Sequence, residues 1–457
     1  MSLFPLPLVP FEHYMLADDS EEYPMTFFLR LQFQGRFDRD RTHWALASAL
    51  CWHPLLSALV QGSVHDRTES LMWIAGEGRP PSVVWQSQSA PVTFPNGSRI
   101  DLSCETGLRL WFRESDDATE LLFQIHHACC DGLGAIQFIE TFLDIYNSNG
   151  KSNGESQPPP GWEARYALRR QISSGTTACS WREFFLRIGR AFKRIGRYCK
   201  TRPAPLAIPS TRRLDDPRTE TGHPALLTHF FDEAATSQFR ASAKQRNVSA
   251  NTLMMRELFL ALDDWNRTRG TLGKSRPLRI VVPVNLRDNP RERLPAFNAV
   301  SLAFIDRQPR ELANAQTLLE GLDREVGEAK TLRSRMVLLP VLHFLGRFRN
   351  GICHRLQACP CLGSAVFSNL GILFFGSRLL GTDRLVRCGD LVLTKFEAAP
   401  PVRRNTLAGI AVSMYGNALT VSLGYDAHCL TPVAASAMLD LYVRRLQSCT
   451  DERRDEI

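Results

Sequence analysis

Apolar and polar positions change period several times along the chain, and each change predicts an element. Residues 120–125, ELLFQI, are short and rich in apolar side chains, which predicts a strand. Just beyond it Leu133, Ile136, Ile139, Phe142, Leu143 and Tyr146 recur at helical spacing. Residues 249–266, SANTLMMRELFLALDDWN, predict a strong helix with Ser249 or Asn251 as its cap. Residues 276–287, RPLRIVVPVNLR, predict a buried strand. Residues 181–200 place Trp181, Phe184, Phe185, Ile188, Phe192 and Ile195 on one helical face, with Arg187, Arg190, Lys193, Arg194 and Arg197 around the rest. Such a helix either lies on an anionic membrane or docks its apolar face on the protein body.

Strand-like and helix-like segments alternate from the start to about residue 147, and a second region runs from about residue 211 to the end. Between them, residues 147–161 (NSNGKSNGESQPPPG) read as a flexible linker, followed by the basic connector. With 457 residues the chain exceeds one compact core. The expected organisation is therefore a first subdomain over 1–147, a connector over 148–210 and a second subdomain over 211–457. No internal repeat is visible in the sequence. The run MVLLPVLHFL at 336–345 is too short to cross a bilayer and contains a proline.

Composition narrows the class further. The chain is 44% hydrophobic and carries a net charge of +8, moderate enough to suit anionic small molecules or a membrane surface. The charge is diffuse and no nucleic-acid motif appears, so nucleic acid is not expected as a partner. The first residues have no basic region followed by a long apolar core, and the 12 cysteines show no regular spacing. The expectation is a reduced, cytoplasmic protein, with peripheral membrane contact through 181–200 as the variant. Cys353, His354, Cys359 and Cys361 do not fit a standard zinc spacing, so no metal is expected.

The chemistry concentrates at residues 126–132, HHACCDG, where the predicted strand meets the predicted helix. Imidazole is the side chain best suited to taking a proton near neutral pH. Asp131 can orient such a loop by binding a cation or backbone amides, and Gly132 permits a sharp turn or a close backbone approach. Cys129 and Cys130 beside the two histidines open a second reading, Cys–His nucleophilic catalysis.

HHACCDG resembles the HHxxxDG signature of the superfamily that joins condensation domains to chloramphenicol-acetyltransferase-like and alcohol acetyltransferases. The resemblance continues along the chain: residues 37–60 resemble its first helix with the HPLL turn at His53, and 105–112 the strand before the catalytic hairpin. Residues 281–289 (VVPVNLRDN) resemble a second-domain strand ending in an arginine, 367–371 (FSNLG) a loop, and 419–430 the last strand before the closing helix. DFGWG, of the plant acyltransferase branch, and NVPGP, of the wax-ester branch, are absent. What remains resembles the stand-alone alcohol acetyltransferases or condensation-like proteins.

The resemblance implies a mixed α/β (α+β) fold of two subdomains, each a sheet flanked by helices, with a tunnel between them. It implies an acyltransferase that works as a monomer, with no bound cofactor. An acyl thioester, expected to be acyl-CoA, is the co-substrate, and a small alcohol or amine is the acceptor. His127 would be the general base and His126 a packing residue. Asp131 would pair with Arg287 to hold the loop. Ser368 and Asn369 would either donate hydrogen bonds to an oxyanion or cap a turn, and Gly132 would let the backbone approach the thioester. A carrier-protein-dependent amide or ester synthase and a non-catalytic binding scaffold are the alternatives.

Overall fold

A computed structural model describes residues 3–62, 70–94, 97–148, 157–174, 201–209, 225–270, 276–289, 292–331 and 361–451. Residues 149–156 of the linker, the basic segment 181–200, the run 336–345, and Cys353, His354 and Cys359 lie outside the described residues.

The first half contains β1 (Leu6–Pro7), α1 (Pro10–Asp18), β2 (Thr26–Gln34), α2 (Arg39–Trp52), β3 (Ala58–Gln61), β4 (Met72–Ala75), β5 (Ser82–Ser87), β6 (Leu108–Glu114), β7 (Ala118–His126), α3 (Gly132–Ser148) and α4 (Tyr166–Ser174). The second contains β8 (Leu226–Phe230), α5 (Glu233–Gln245), α6 (Ala250–Thr268), β9 (Leu278–Asn285), β10 (Val300–Arg307), α7 (Ala315–Thr331) and β11 (Ala365–Ile372). It continues through β12 (Arg387–Cys388), β13 (Leu391–Ala399), β14 (Ala408–Tyr415), β15 (Ala418–Tyr425) and α8 (Pro432–Asp451).

Two six-stranded mixed sheets carry the fold, in the orders β12-β13-β2-β7-β6-β5 and β10-β9-β11-β14-β15-β8. β7 lies at the centre of the first and is buried along nearly its whole length, which is why its sequence reads as an apolar run rather than an alternation. Against the first sheet pack α2 and α3, whose Phe138, Phe142 and Leu143 enter the same core as Leu121, Phe123 and Ile125 of β7. A second core forms under α6, α7 and α8. Ser249 caps α6 by accepting from the Thr252 amide at 3.1 Å.

The boundary at residue 211 does not describe the sheets. β12 and β13, placed in the second subdomain by sequence, pair into the first sheet, with β13 antiparallel to β2. The chain then returns to the second sheet as β14. β13 is also where the sheets are tied together: buried Glu397 accepts from Arg30 of β2 and, at 2.9 Å, from Thr228 of β8.

Candidate active site

β7 ends at His126 and α3 begins at Gly132, so HHACCDG is the turn between them. The Cys129 amide donates to the His126 carbonyl at 2.9 Å, and the Ala128 amide to His126 Nδ1 at 3.1 Å. A ring nitrogen that accepts is unprotonated, so the neutral ring of His126 carries its proton on Nε2. That atom faces Asp19 Oδ2 at 3.7 Å. Burial pushes the Asp19 carboxyl up, but His126, the Met25 amide and Arg99 outweigh it and hold it below the usual carboxylate range. His126 is wholly buried and shapes the turn.

His127 stands differently. Its amide donates to the Met25 carbonyl at 2.8 Å, and its ring lies edge-on to Phe27 and Phe11, with centroids 5.2 and 6.2 Å away. Burial lowers the affinity of the imidazole for a proton below its ordinary value. Its own carbonyl, Asp131 and Asn298 offset part of this, and His126 adds to it. The ring is therefore neutral at pH 7 and able to accept a proton.

Asp131 holds the turn. Its Oδ1 accepts from the Gly134 amide at 2.8 Å and from Arg287 Nη2 at 2.9 Å. Its Oδ2 accepts from Arg287 Nη1 at 2.9 Å and from the Ala299 amide at 2.8 Å. The pair is bidentate and both side chains are buried, so its geometry is closely specified. Arg287 lies two residues past the end of β9, close to the strand end expected from the sequence, and also donates to the Phe297 carbonyl at 3.1 Å.

Sequence reasoning missed the other side of this clamp. Phe297, Asn298 and Ala299, just before β10, all hold the turn; Asn298 Nδ2 donates to the carbonyls of both His127 and Ala128 at 2.9 Å. One signal was present: Asn298 is the single polar residue in the run LPAFNAV. His53 was also missed as a support. Its Nδ1 accepts from the Ala296 amide at 2.8 Å, and its Nε2 lies 3.0 Å from the Thr141 hydroxyl. Burial, with Arg293 nearby, pushes its pKa down to about 3.

A cavity that opens to solvent lies between the sheets. Phe11, Tyr14 and Met15 of α1 line one side and Val281, Pro283 and Leu302 the other, with His127 and Gly132 on the wall. Gly132 is at a close approach, since a Cβ there would sit 2.9 Å from Leu370 Cδ2. Ser368 and Asn369 reach the same cavity, but from strand β11 rather than from a loop as expected. They are not equivalent. Asn369 is engaged, donating to Asn251 Oδ1 and accepting from the Gly371 amide, both at 2.8 Å. The Ser368 hydroxyl forms no side-chain hydrogen bond among the described residues.

Cys129 and Cys130 are wholly buried, and burial pushes both thiols well above their ordinary value. Thiolate formation at either is disfavoured, so Cys–His nucleophilic catalysis has no support in this geometry. Among the described residues no cluster of His, Cys, Asp or Glu is arranged to hold a metal ion, and no helix is long and apolar enough to cross a membrane.

No protein-family model and no curated protein matches the chain in sequence. Solved structures do match in shape. The TRI3 trichothecene 15-O-acetyltransferase from Fusarium sporotrichioides aligns with a TM-score of 0.66 at 12% identity, over 97% of this chain and 95% of that one. The first condensation domain of the CDA synthetase gives 0.66 at 13% identity, over 98% and 97%. The condensation domain of the Monacolin K polyketide synthase MokA gives 0.65 at 15%, over 98% and 97%. The chain therefore has the fold shared by condensation domains and chloramphenicol-acetyltransferase-like proteins, across nearly its whole length.

Proposed function

We propose that the protein is an acyltransferase that moves an acyl group from a thioester, acyl-CoA, to the hydroxyl or amine of a small acceptor. The observation that carries this reading is the placement of His127: a neutral imidazole on the wall of an intersheet cavity, on a turn clamped by Asp131 and Arg287. His127 takes the acceptor's proton as the acceptor's lone pair attacks the thioester carbonyl carbon. The tetrahedral intermediate collapses by breaking the C–S bond, and the leaving thiolate takes the proton back. Ser368, whose hydroxyl is not committed elsewhere, is the better placed of the two donors for the oxyanion. Asp131 and Arg287 do not touch the substrate; they fix the turn. The protein acts as a monomer and needs no bound cofactor, with coenzyme A entering only as the donor's leaving group.

The test is thiol release from acyl-CoAs of increasing chain length against pooled alcohols and amines, with no carrier protein present. Release that depends on both acceptor and His127 supports the reading. Transfer seen only from an acyl carrier protein replaces acyl-CoA with a carrier as donor. No transfer from either source removes the enzymatic reading.

A further inference from the structure

Two buried polar atoms near the base make no well-formed hydrogen bond among the described residues, Nδ1 of His127 and Oδ1 of Asn298, although the His127 carbonyl and Asn298 both act on the ring. One can donate and the other accepts. The orientation of the Asn298 amide is not arbitrary, because its NH₂ group meets two carbonyls, those of His127 and Ala128. Turning the amide over would set oxygen against oxygen twice, so Oδ1 is fixed as a spare acceptor. The backbone of His127 is likewise fixed, by Met25 on one side and Asn298 on the other. We propose that Asn298 is a positioning residue for His127: its Oδ1, beside the His127 carbonyl, accepts from Nδ1–H, which holds the neutral ring in the Nδ1–H tautomer, sets its plane and leaves Nε2 free to take a proton. The contact is loose in the resting structure and tightens as Nε2 takes a proton and charge develops on the ring, as catalytic hydrogen bonds often do.

The surroundings agree. His126 and Asp131 act on the ring from its own turn. Arg287 is already neutralised by Asp131. Asp19 is engaged by Arg99 behind His126, and on α1, whose Phe11 meets the ring, Glu12 is paired with Arg169 and Asp18 with Arg403. Asn298 itself raises the affinity of the imidazole for a proton, as an acceptor at Nδ1 should.

The inference rests on His127 being the base only for its kinetic arm. The other arm is long-range ¹H–¹⁵N correlation of histidine-labelled protein, which reads the tautomer and pKa of His127 directly. Wild type should show the Nδ1–H tautomer. Asn298→Ala should mix the tautomers and lower the His127 pKa, while Asn298→Gln, which keeps both the amide donor and the acceptor, should retain the Nδ1–H tautomer. In turnover Asn298→Ala should lower kcat about tenfold, the weight of one hydrogen bond made in the transition state, with KM little changed and the acid limb moved to lower pH. An Nε2–H tautomer in wild type would overturn the proposal even if neither variant folds. So would a folded Asn298→Ala protein with an unchanged His127 tautomer and pKa. Should His127→Ala prove fully active, the base assignment fails, and the resonance arm still decides whether Asn298 engages the ring.

Discussion

Residues 126–135 and 426–435 are built on one backbone plan. Each turn follows the second strand of an antiparallel hairpin, β6–β7 or β14–β15, and opens a long helix, α3 or α8. The hydrogen bonds repeat at positions 300 residues apart. The Cys129 amide bonds the His126 carbonyl, and the Cys429 amide the Asp426 carbonyl. The Ala128 amide is received by His126 Nδ1, and the His428 amide by Asp426 Oδ1. Gly134 and Ala135 are held by Asp131 as Ala434 and Ala435 are by Thr431. The difference lies in side chains. Ala427 stands where His127 would be, and Thr431, with no arginine, where Asp131 would be. A strand–turn–helix junction is thus a generic device, and two residues turn one copy into a candidate catalytic site.

The largest separation of the two turns should come from the histidine. His127→Ala is expected to cost about 100- to 10,000-fold in kcat/KM while the circular dichroism and melting temperature stay close to wild type. Adding Ala427→His should restore nothing, since Ala427 does not line the cavity; recovered activity would mean the two turns are functionally interchangeable. Next comes the acid. Asp131→Ala strands a buried guanidinium and should cost about 3–5 kcal/mol in urea unfolding. Thr431→Ala removes only a helix cap and should cost about 1 kcal/mol. Equal losses at the two positions would show that the Arg287 pair adds nothing to the first turn.

Acid should also act on the first half. The pKa of His53 is lowered to about 3, so its contribution is intact above the unfolded imidazole pKa near 6.5 and is lost as pH falls toward 3. His127 is shifted the same way, so the acid limb of kcat/KM should lie below the ordinary imidazole range. A urea midpoint independent of pH between 6.5 and 3, or an acid limb above that range, would contradict these burial effects. The smallest change is expected from Cys129→Ala and Cys130→Ala, which should leave kcat within about twofold in the folded fraction, because neither thiol takes part. A large loss of kcat in either folded variant would reopen nucleophilic catalysis by cysteine.

The sequence showed one turn and hid the other. HHACCDG could be read because a strand pattern, two histidines, an aspartate and a glycine fall together, and because Leu133 to Tyr146 mark the helix that follows. The 426–435 turn shares the geometry, but its Tyr-Asp-Ala-His-Cys-Leu-Thr run carries little of the same chemistry, so no repeat was visible. The helix at 250–268 was legible with its Ser249 cap because a cap is a local interaction. Asn298, Ala299 and His53 were not, because each acts through contacts with residues more than 80 positions away. FSNLG was misread as a loop for a related reason: its polar residues lie on a strand facing a cavity, where burial does not demand apolar side chains.

The passage of β13 through the first sheet has a consequence for how the protein is made. β2 has β7 on one side, and among the described residues its other edge is filled by residues 391–399 alone. During synthesis the first half must wait, with an open strand edge, until residues 391–399 have emerged. Such an edge is a template for wrong pairing. The two halves cannot then mature as independent modules in chain order. A fragment cut at the connector would keep HHACCDG but lack both Arg287 and the strand that closes its sheet, so this chain is better regarded as one folding unit with two cores than as two domains in series.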